Sequence, residues 1–500
     1  MAGARSIWLR GAAADLPRHA PLARDLEVDV AIVGAGITGL SLAVLLLAEG
    51  RTVALLERRR LGSGTTSRST AHLTSALDTD YCVLAERFGE SALRLIADSV
   101  RGAIDQIERF AQWHDDVCGF RRVPGFRFSE DASGTELLEK EALCARRAGL
   151  DVSLVDRIPL PIPCATALRF EQQAELDPVA YCEALRRAVL DAGGQIFEDT
   201  PIIEASDEAA VSEAGPRVRA RHVIEATHTP LGFVPSIQTR LGVFTSYVLA
   251  ARLAAPIERA LYWDLADPYH YLRAVHADTR FVLCGGADHR TGRGDPAESL
   301  KELEEWLRLK LPVEDVVARW SHEYFEPADG LPFIGLLPGS RSHYVAAGFS
   351  GTGLTFGTMA AMLIRDLVVR GSSPWQELYT PSRLKPLAAG GNFARENLGV
   401  AWRLIADRVR RSPASDASRL ASGAGCLLRV EGTQVAAYRD AEGSLHLLSP
   451  RCTHLGCTVS WNPLEESWDC PCHGGRFSAT GEPLYGPTVK SLARENGDPE

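Results

Sequence analysis

Two short stretches near the C-terminal end hold the residues with the sharpest chemistry. They read Cys452-Thr-His454-Leu-Gly-Cys457 and Cys470-Pro-Cys472-His473-Gly. Each supplies one thiol and one imidazole at close spacing, plus a further cysteine. Cys452, His454, Cys470 and His473 can therefore converge on one metal centre. Two thiolates suit one iron and two imidazoles suit the other, which is the mixed ligation of a two-iron, two-sulfide cluster. The same four residues could hold a tetrahedral zinc. Zinc fingers tend to pair Cys with Cys and His with His, whereas each stretch here mixes the two.

Over about residues 415–495 this segment closely resembles the Rieske domain family. The resemblance implies a 2Fe–2S cluster on Cys452, His454, Cys470 and His473. It also implies a disulfide between Cys457 and Cys472 that joins the two ligand loops. Gly486-Pro487 matches the family's third, proline-bearing loop, which covers the cluster. One departure stands out. High-potential members carry a Ser and a Tyr that donate to cluster sulfurs, at positions matched here by Gly475 and Phe477. Neither side chain can donate, so a potential in the lower half of the Rieske range is expected.

A second cofactor motif lies at the other end. Val-Asp-Val-Ala-Ile-Val at 28–33 is an apolar strand, followed by Gly34-Ala-Gly36-Ile-Thr-Gly39 and a helix over Leu40–Glu49. Thr52–Leu56 is the next strand, and Glu57 ends it. This is a dinucleotide fingerprint in its βαβ context. Gly34 allows the tight turn, Gly36 a close backbone approach to the pyrophosphate, and Gly39 helix–strand packing. Free N–H groups at the helix start suit the phosphates, and Glu57 is placed to accept from ribose hydroxyls.

The motif serves both FAD and NAD. The small, hydroxyl-rich loop from Gly62 to His72 suits a long cofactor, with Arg68 and Ser69 as candidate contacts. A strand at His343–Gly348 then leads through Gly351, Thr352 and Gly353 into a helix over Thr358–Val369. A second helix start suits a flavin, whose ring is anionic when reduced. Gly348, Gly351, Thr352 and Gly353 are the candidate contacts there. No second nucleotide fingerprint appears, which disfavours a dedicated NAD(P)H domain.

These pieces, with Leu176-Asp177-Pro178 and Asp329-Gly-Leu-Pro332-Phe-Ile-Gly335, resemble the D-amino-acid oxidase, glycine oxidase and sarcosine oxidase family of FAD enzymes over roughly 28–370. The Tyr262–Arg273 and Gly285–Gly292 segments look like a bacterial subgroup that carries a C-terminal Rieske domain. The resemblance implies an α/β, Rossmann-like FAD domain with an α+β substrate lobe, followed by a small all-β Rieske domain. It places the substrate on the lobe's strands. Tyr271 and Arg273 share one strand face, and Arg273 is the candidate clamp for a substrate carboxylate. Asp288 and His289 are candidates for proton transfer. Some relatives attach FAD to a histidine in the 62–72 loop, but the alignment puts Arg68, not His72, at that position. Noncovalent FAD is therefore expected.

The FAD part is expected over 1–380, with nucleotide-binding segments at about 1–80, 150–235 and 330–380, and a substrate lobe at about 81–149 and 236–329. An amphipathic helix at Asn392–Arg411 and a Ser/Ala/Gly-rich linker at Ser412–Gly425 fill 381–425, and 426–500 forms the cluster domain. A net charge of −10 gives a nucleic-acid partner no electrostatic support. No apolar run spans a bilayer and no signal peptide is evident, so a cytoplasmic location is expected. Of 11 cysteines, the seven outside the cluster motifs show no paired spacing and read as buried thiols. The expected activity is a dehydrogenase acting on C–N bonds of an amine, amino acid or related small molecule. Electrons would pass from FAD to the cluster and on to a protein or quinone acceptor. The alternative is an electron-transfer or redox-responsive partner with no substrate of its own.

Overall fold

The computed structural model describes residues 6–9, 17–113, 118–275, 278–383, 420–430 and 433–495. The helix expected over 392–411 and most of the expected linker lie outside the described residues. The apolar strand Leu26–Val33 runs in parallel between Arg217–Glu225 and Val53–Leu56. Its inner half is buried on both faces, as an apolar run in a parallel sheet requires. His343–Ala347 and Gln195–Phe197 extend the parallel set, and antiparallel Phe333–Leu336 closes one edge. Helices Ile37–Ala48, Glu90–Gln112 and Gly353–Arg370 share one large core on this sheet. Helix Pro178–Asp191 starts cleanly because the Asp177 side chain accepts from the Val179 and Ala180 N–H groups and Pro178 needs no N–H partner.

A second, nine-stranded sheet stands beside the first. Its main path runs Val313–Pro327, Leu241–Leu253, Phe281–Arg290, Tyr271–Ala274, Leu261–Asp264, Arg121–Ser129, Thr166–Glu175, His72–Leu73. Some of the expected segment assignments change, that of His72–Leu73 among them. Thr166–Glu175 pairs with Arg121–Ser129 and His72–Leu73, so 152–175 joins the substrate sheet instead of the nucleotide-binding part. Helix Glu90–Gln112 packs with Gly353–Arg370 in the nucleotide-side core, although it was assigned to the substrate lobe. In both cases a local pattern specifies the element but not its non-local partner.

The cysteine expectation also needs correcting. Cys82 and Cys144 form a disulfide between helices Tyr81–Phe88 and Thr135–Arg147. They are 62 residues apart, so spacing carried no signal. Cys457–Cys472 is a disulfide, as the resemblance implied. The C-terminal part folds as two small antiparallel sheets, one of three strands over 425–448 and one of four over 460–485, with its own core. Among the described residues, no helix is long and apolar enough to cross a membrane.

Candidate functional site

The glycine fingerprint forms a cradle that side chains would fill. A Cβ on Gly39 would strike the Gly34 carbonyl, and one on Gly34, at φ +100°, would strike the Ala226 carbonyl. The strand-to-helix turn is therefore pressed flat between two strands. Gly34, Gly36, Glu57, Ser69, Gly351 and Gly353 all line one cavity. Glu57 accepts from Ala35 N–H at 2.9 Å and Arg59 N–H at 3.0 Å, and burial pushes its carboxyl above the ordinary range. This is a narrow groove of backbone N–H groups with an acid at one end, which fits FAD. Gly348, at φ +79°, does not line the cavity. It lets the chain pass Leu241 and Pro327, which a Cβ would approach to 2.8 and 2.9 Å.

Two expected contacts are placed elsewhere. Arg68 turns away from the groove: its guanidinium pairs with Glu465 of the cluster domain and donates to the Ser321 carbonyl at 3.1 Å. Thr352 donates to Asp78 at 3.1 Å and faces a second cavity. The start of helix Gly353–Arg370 is thus shared between the groove and that cavity.

The second cavity measures about 470 Å³, the size for a small molecule. It meets the groove at Ser69, His322, Tyr324 and Gly351, which line both. Tyr271 and Asp288 line it, as expected of substrate-facing residues. Tyr324 Oη donates to Asp288 Oδ2 at 2.9 Å, and Ser246 and Tyr271 share a hydrogen bond of 2.9 Å. Burial holds the Asp288 carboxyl up to about 7. His72 and His322 also line the cavity, and burial with a nearby arginine holds each down to about 3, so both are neutral.

Arg273 and His289 do not belong to this cavity. Arg273 is 2% exposed; it donates to the Thr70 and Leu176 carbonyls and pairs with Glu175 at 3.1 Å. The expected carboxylate clamp is instead a structural pin between the cofactor loop and strand Thr166–Glu175. His289 sits one residue from Asp288 and therefore on the opposite face, bonded to Tyr247 and the Arg290 carbonyl at 2.9 Å each. It does not line the second cavity, and its ring is held within the sheet.

The two expected ligand loops lie against each other. Cys452 and Cys470 are buried with their sulfurs within hydrogen-bonding reach. The N–H groups of His454 and Leu455 point at Cys452, and those of Cys472 and His473 at Cys470. The His454 and His473 rings meet edge-to-face at 5.0 Å. Burial holds both down to about 4, so both are neutral and ready to ligate. Nε2 of His454 and Nδ1 of His473 are buried with no hydrogen-bond partner. Two paired thiols beside two imidazoles, each with one buried ring nitrogen lacking a hydrogen-bond partner, fit a 2Fe–2S cluster. The sulfurs of Cys457, Cys470 and Cys472 also crowd within 4.8 Å, but Cys457 and Cys472 are already bonded to each other. Gly475 lies against the site: a Cβ there would be 3.3 Å from Cys452 Sγ and 2.6 Å from Thr488 Cγ2.

The cluster domain docks on strand Val313–Pro327. Ser321 donates its N–H to Glu465 at 2.8 Å. Gly474, at φ +66°, lets the second ligand loop lie flat on the sheet, where a Cβ would meet Phe325 Cζ at 2.6 Å and Val243 at 3.1 Å. Glu323 is fully buried between these contacts, with Arg476 and Asp469 as its charged neighbours. The proline loop reaches further. Gly232 N–H donates to the Pro487 carbonyl at 2.9 Å, and Leu484, Tyr485 and Gly486 form part of the groove wall. The sequence reading did not single out His322, Glu323, Tyr324, Asp78 or Glu465. Their signal was the alternation in Ser321-His-Glu-Tyr-Phe-Glu326, readable only once both faces of the strand are known to be covered.

The comparisons agree with this geometry. The family model for FAD dependent oxidoreductases matches residues 29–367, and that for the Rieske [2Fe-2S] domain matches residues 411–494. YhfW of Bacillus subtilis strain 168, named as a Rieske 2Fe–2S iron–sulfur protein, is 30% identical, with 96% of this chain and 95% of that protein covered. The γ-glutamylputrescine oxidoreductase of Escherichia coli K12 is 26% identical over 79% of this chain and 97% of its own length. Among solved structures, glycine oxidase from Geobacillus kaustophilus superposes with a TM-score of 0.61 at 18% identity, covering 72% of this chain and 99% of that one.

Proposed function

The chain belongs to the FAD-dependent oxidoreductase family and ends in a Rieske domain, and from this premise we propose that it is a dehydrogenase. In this reading it oxidises a small amine or amino acid at a C–N bond and passes electrons through the cluster to an external one-electron acceptor. Bound FAD supplies hydride acceptance from a carbon beside nitrogen, and the cluster supplies one-electron transfer. Gly34, Gly36, Gly39 and Glu57 would hold FAD; Cys452, His454, Cys470 and His473 would hold the cluster.

One observation carries the reading. The groove and the 470 Å³ cavity meet at His322 and Tyr324, while Ser321 and Phe325 on the same strand contact the cluster domain and Glu323, which also lines the groove, has Arg476 and Asp469 of that domain as neighbours. The E. coli relative's name, an oxidoreductase of an amine-bearing compound, supports the C–N assignment. The chain's own residues shape and seal the site. Tyr324 fixes Asp288, Arg273 pins the loop at Thr70, and Leu484, Tyr485 and Gly486 of the proline loop wall the groove. Anaerobic mixing of purified holoprotein with amines and amino acids tests it. Flavin bleaching followed by the paramagnetic signal of a reduced cluster is expected. Absence of bleaching by every compound would point to a partner protein without its own substrate.

A further inference from the structure

The second cavity has a marked charge bias. Among the described residues, Asp78, Asp264, Asp267, Asp288 and Glu326 line it. Arg127 is the one guanidinium among them, and it is ion-paired with Asp80. His72 and His322 are neutral, and Arg273 is turned away and spent on Glu175. A substrate carboxylate entering this space would meet carboxylates on several sides. The walls are also aromatic: Trp263, Tyr269, Tyr271 and Tyr324 line the cavity, with the Tyr269 and Tyr271 rings 5.6 Å apart. Ring faces beside a carboxylate form the environment that binds an ammonium group. The acids are not equivalent. Asp78 is occupied by Gly351 N–H and Thr352, and Asp264 by His270. Asp288 accepts from Tyr324 on one oxygen, and the Ser246 hydroxyl, shared with Tyr271, also reaches its carboxylate; among the described residues no cation is paired with it.

We propose that this cavity takes a cationic amine that lacks a carboxylate, a monoamine, diamine or polyamine, with its ammonium held by Asp288 among Tyr269, Tyr271 and Tyr324. This rests on the amine-oxidation reading above and narrows it, excluding free amino acids as the preferred class.

The test uses holoprotein and two ligands matched in length, 1,4-diaminobutane and 4-aminobutanoate, with n-butylamine and glycine as further members. Binding is read from the perturbed flavin spectrum and turnover from anaerobic bleaching. The diamine should bind at least ~30-fold more tightly than 4-aminobutanoate, and Asp288→Asn should remove most of that advantage. Arg127→Gln removes the cavity's one guanidinium and so should not weaken amine binding. Tighter binding of the amino acids, lost in Arg127→Gln, would overturn the inference while leaving C–N oxidation standing. So would no binding of any amine. Saturable, Asp288-dependent amine binding with no bleaching by any compound would uphold the cation site and overturn the proposed dehydrogenase.

Discussion

The two faces of strand Val313–Pro327 make opposite uses of one stretch of chain. Ser321, Glu323 and Phe325 are sealed against the cluster domain, each 1% exposed or less. His322, Tyr324 and Glu326, one residue out of step, line the cavity of about 470 Å³. The sealed face is a docking surface built from an ion pair, backbone hydrogen bonds and a glycine-flattened loop. The open face is built to receive something. Because successive side chains of a strand point to opposite sides, a single sheet thickness separates cluster from cavity. The cluster domain thus sits on the strand whose other face lines the cavity, and its Leu484, Tyr485 and Gly486 also line the groove.

The comparison breaks most plainly if the two sides prove inseparable. Cys452→Ser or His473→Ala should abolish the Rieske absorption and the complement of two irons and two sulfides per chain. FAD should stay bound, because the glycine cradle lies in the other core. Gly36→Val should do the converse, since a side chain there fills the groove. Metal and flavin analysis of each variant decides this; loss of both cofactors from either one would refute independent cores.

Next in size is the seal. Glu465 is 3% exposed and Arg68 is its ionic partner. Arg68→Gln leaves that carboxylate buried without its counter-charge, so a loss of about 3 kcal/mol is expected. Limited proteolysis and thermal unfolding should show the cluster domain released first. Recovery in the Arg68→Gln, Glu465→Gln double variant would confirm the coupling.

The open face should be pH-sensitive. Asp288 is held up to about 7, chiefly by burial, with Asp78 adding to the rise and Ser246, Tyr324 and His270 opposing it. An ammonium ligand binds the ionised form, so its affinity should rise about tenfold between pH 6 and 8, with proton release. Calorimetry in buffers of different ionisation enthalpy checks this, and a flat profile would refute it. The linkage to folding has the opposite sense. With the folded value above the unfolded one of 3.8, the stabilisation from this group is full below about pH 4 and lost as pH rises through 7.

The smallest effect concerns cluster potential. Phe477 is fully buried in the core that holds the ligand cysteines. Phe477→Tyr adds one donor there and should raise the potential by about 40 mV, the one-electron equivalent of about 1 kcal/mol. Gly475→Ser is a poorer probe by itself, because Thr488 Cγ2 lies 2.6 Å from where its Cβ would stand, and it needs Thr488→Ala beside it. An unshifted midpoint in redox titration of Phe477→Tyr would contradict the missing-donor account.

Both cofactor cradles were legible from the chain alone because each is local. The ligand loops span 452–473, and the fingerprint with its acid spans 34–57. Within such windows, spacing fixes which atoms can meet. Helices and strands were legible for the same reason, as at Glu90–Gln112, whose apolar positions recur with helical period. What tertiary structure alone decided depends on pairings between distant segments. Arg273 looked free to clamp a carboxylate until Glu175 and the Thr70 carbonyl, 98 and 203 residues away, claimed it. Arg68 looked like a flavin contact until Glu465, 397 residues on, paired with it. Cys82 and Cys144 looked unrelated until two helices crossed. A charged side chain's role is set by which partner reaches it as water is excluded, and residue type and spacing do not encode that partner.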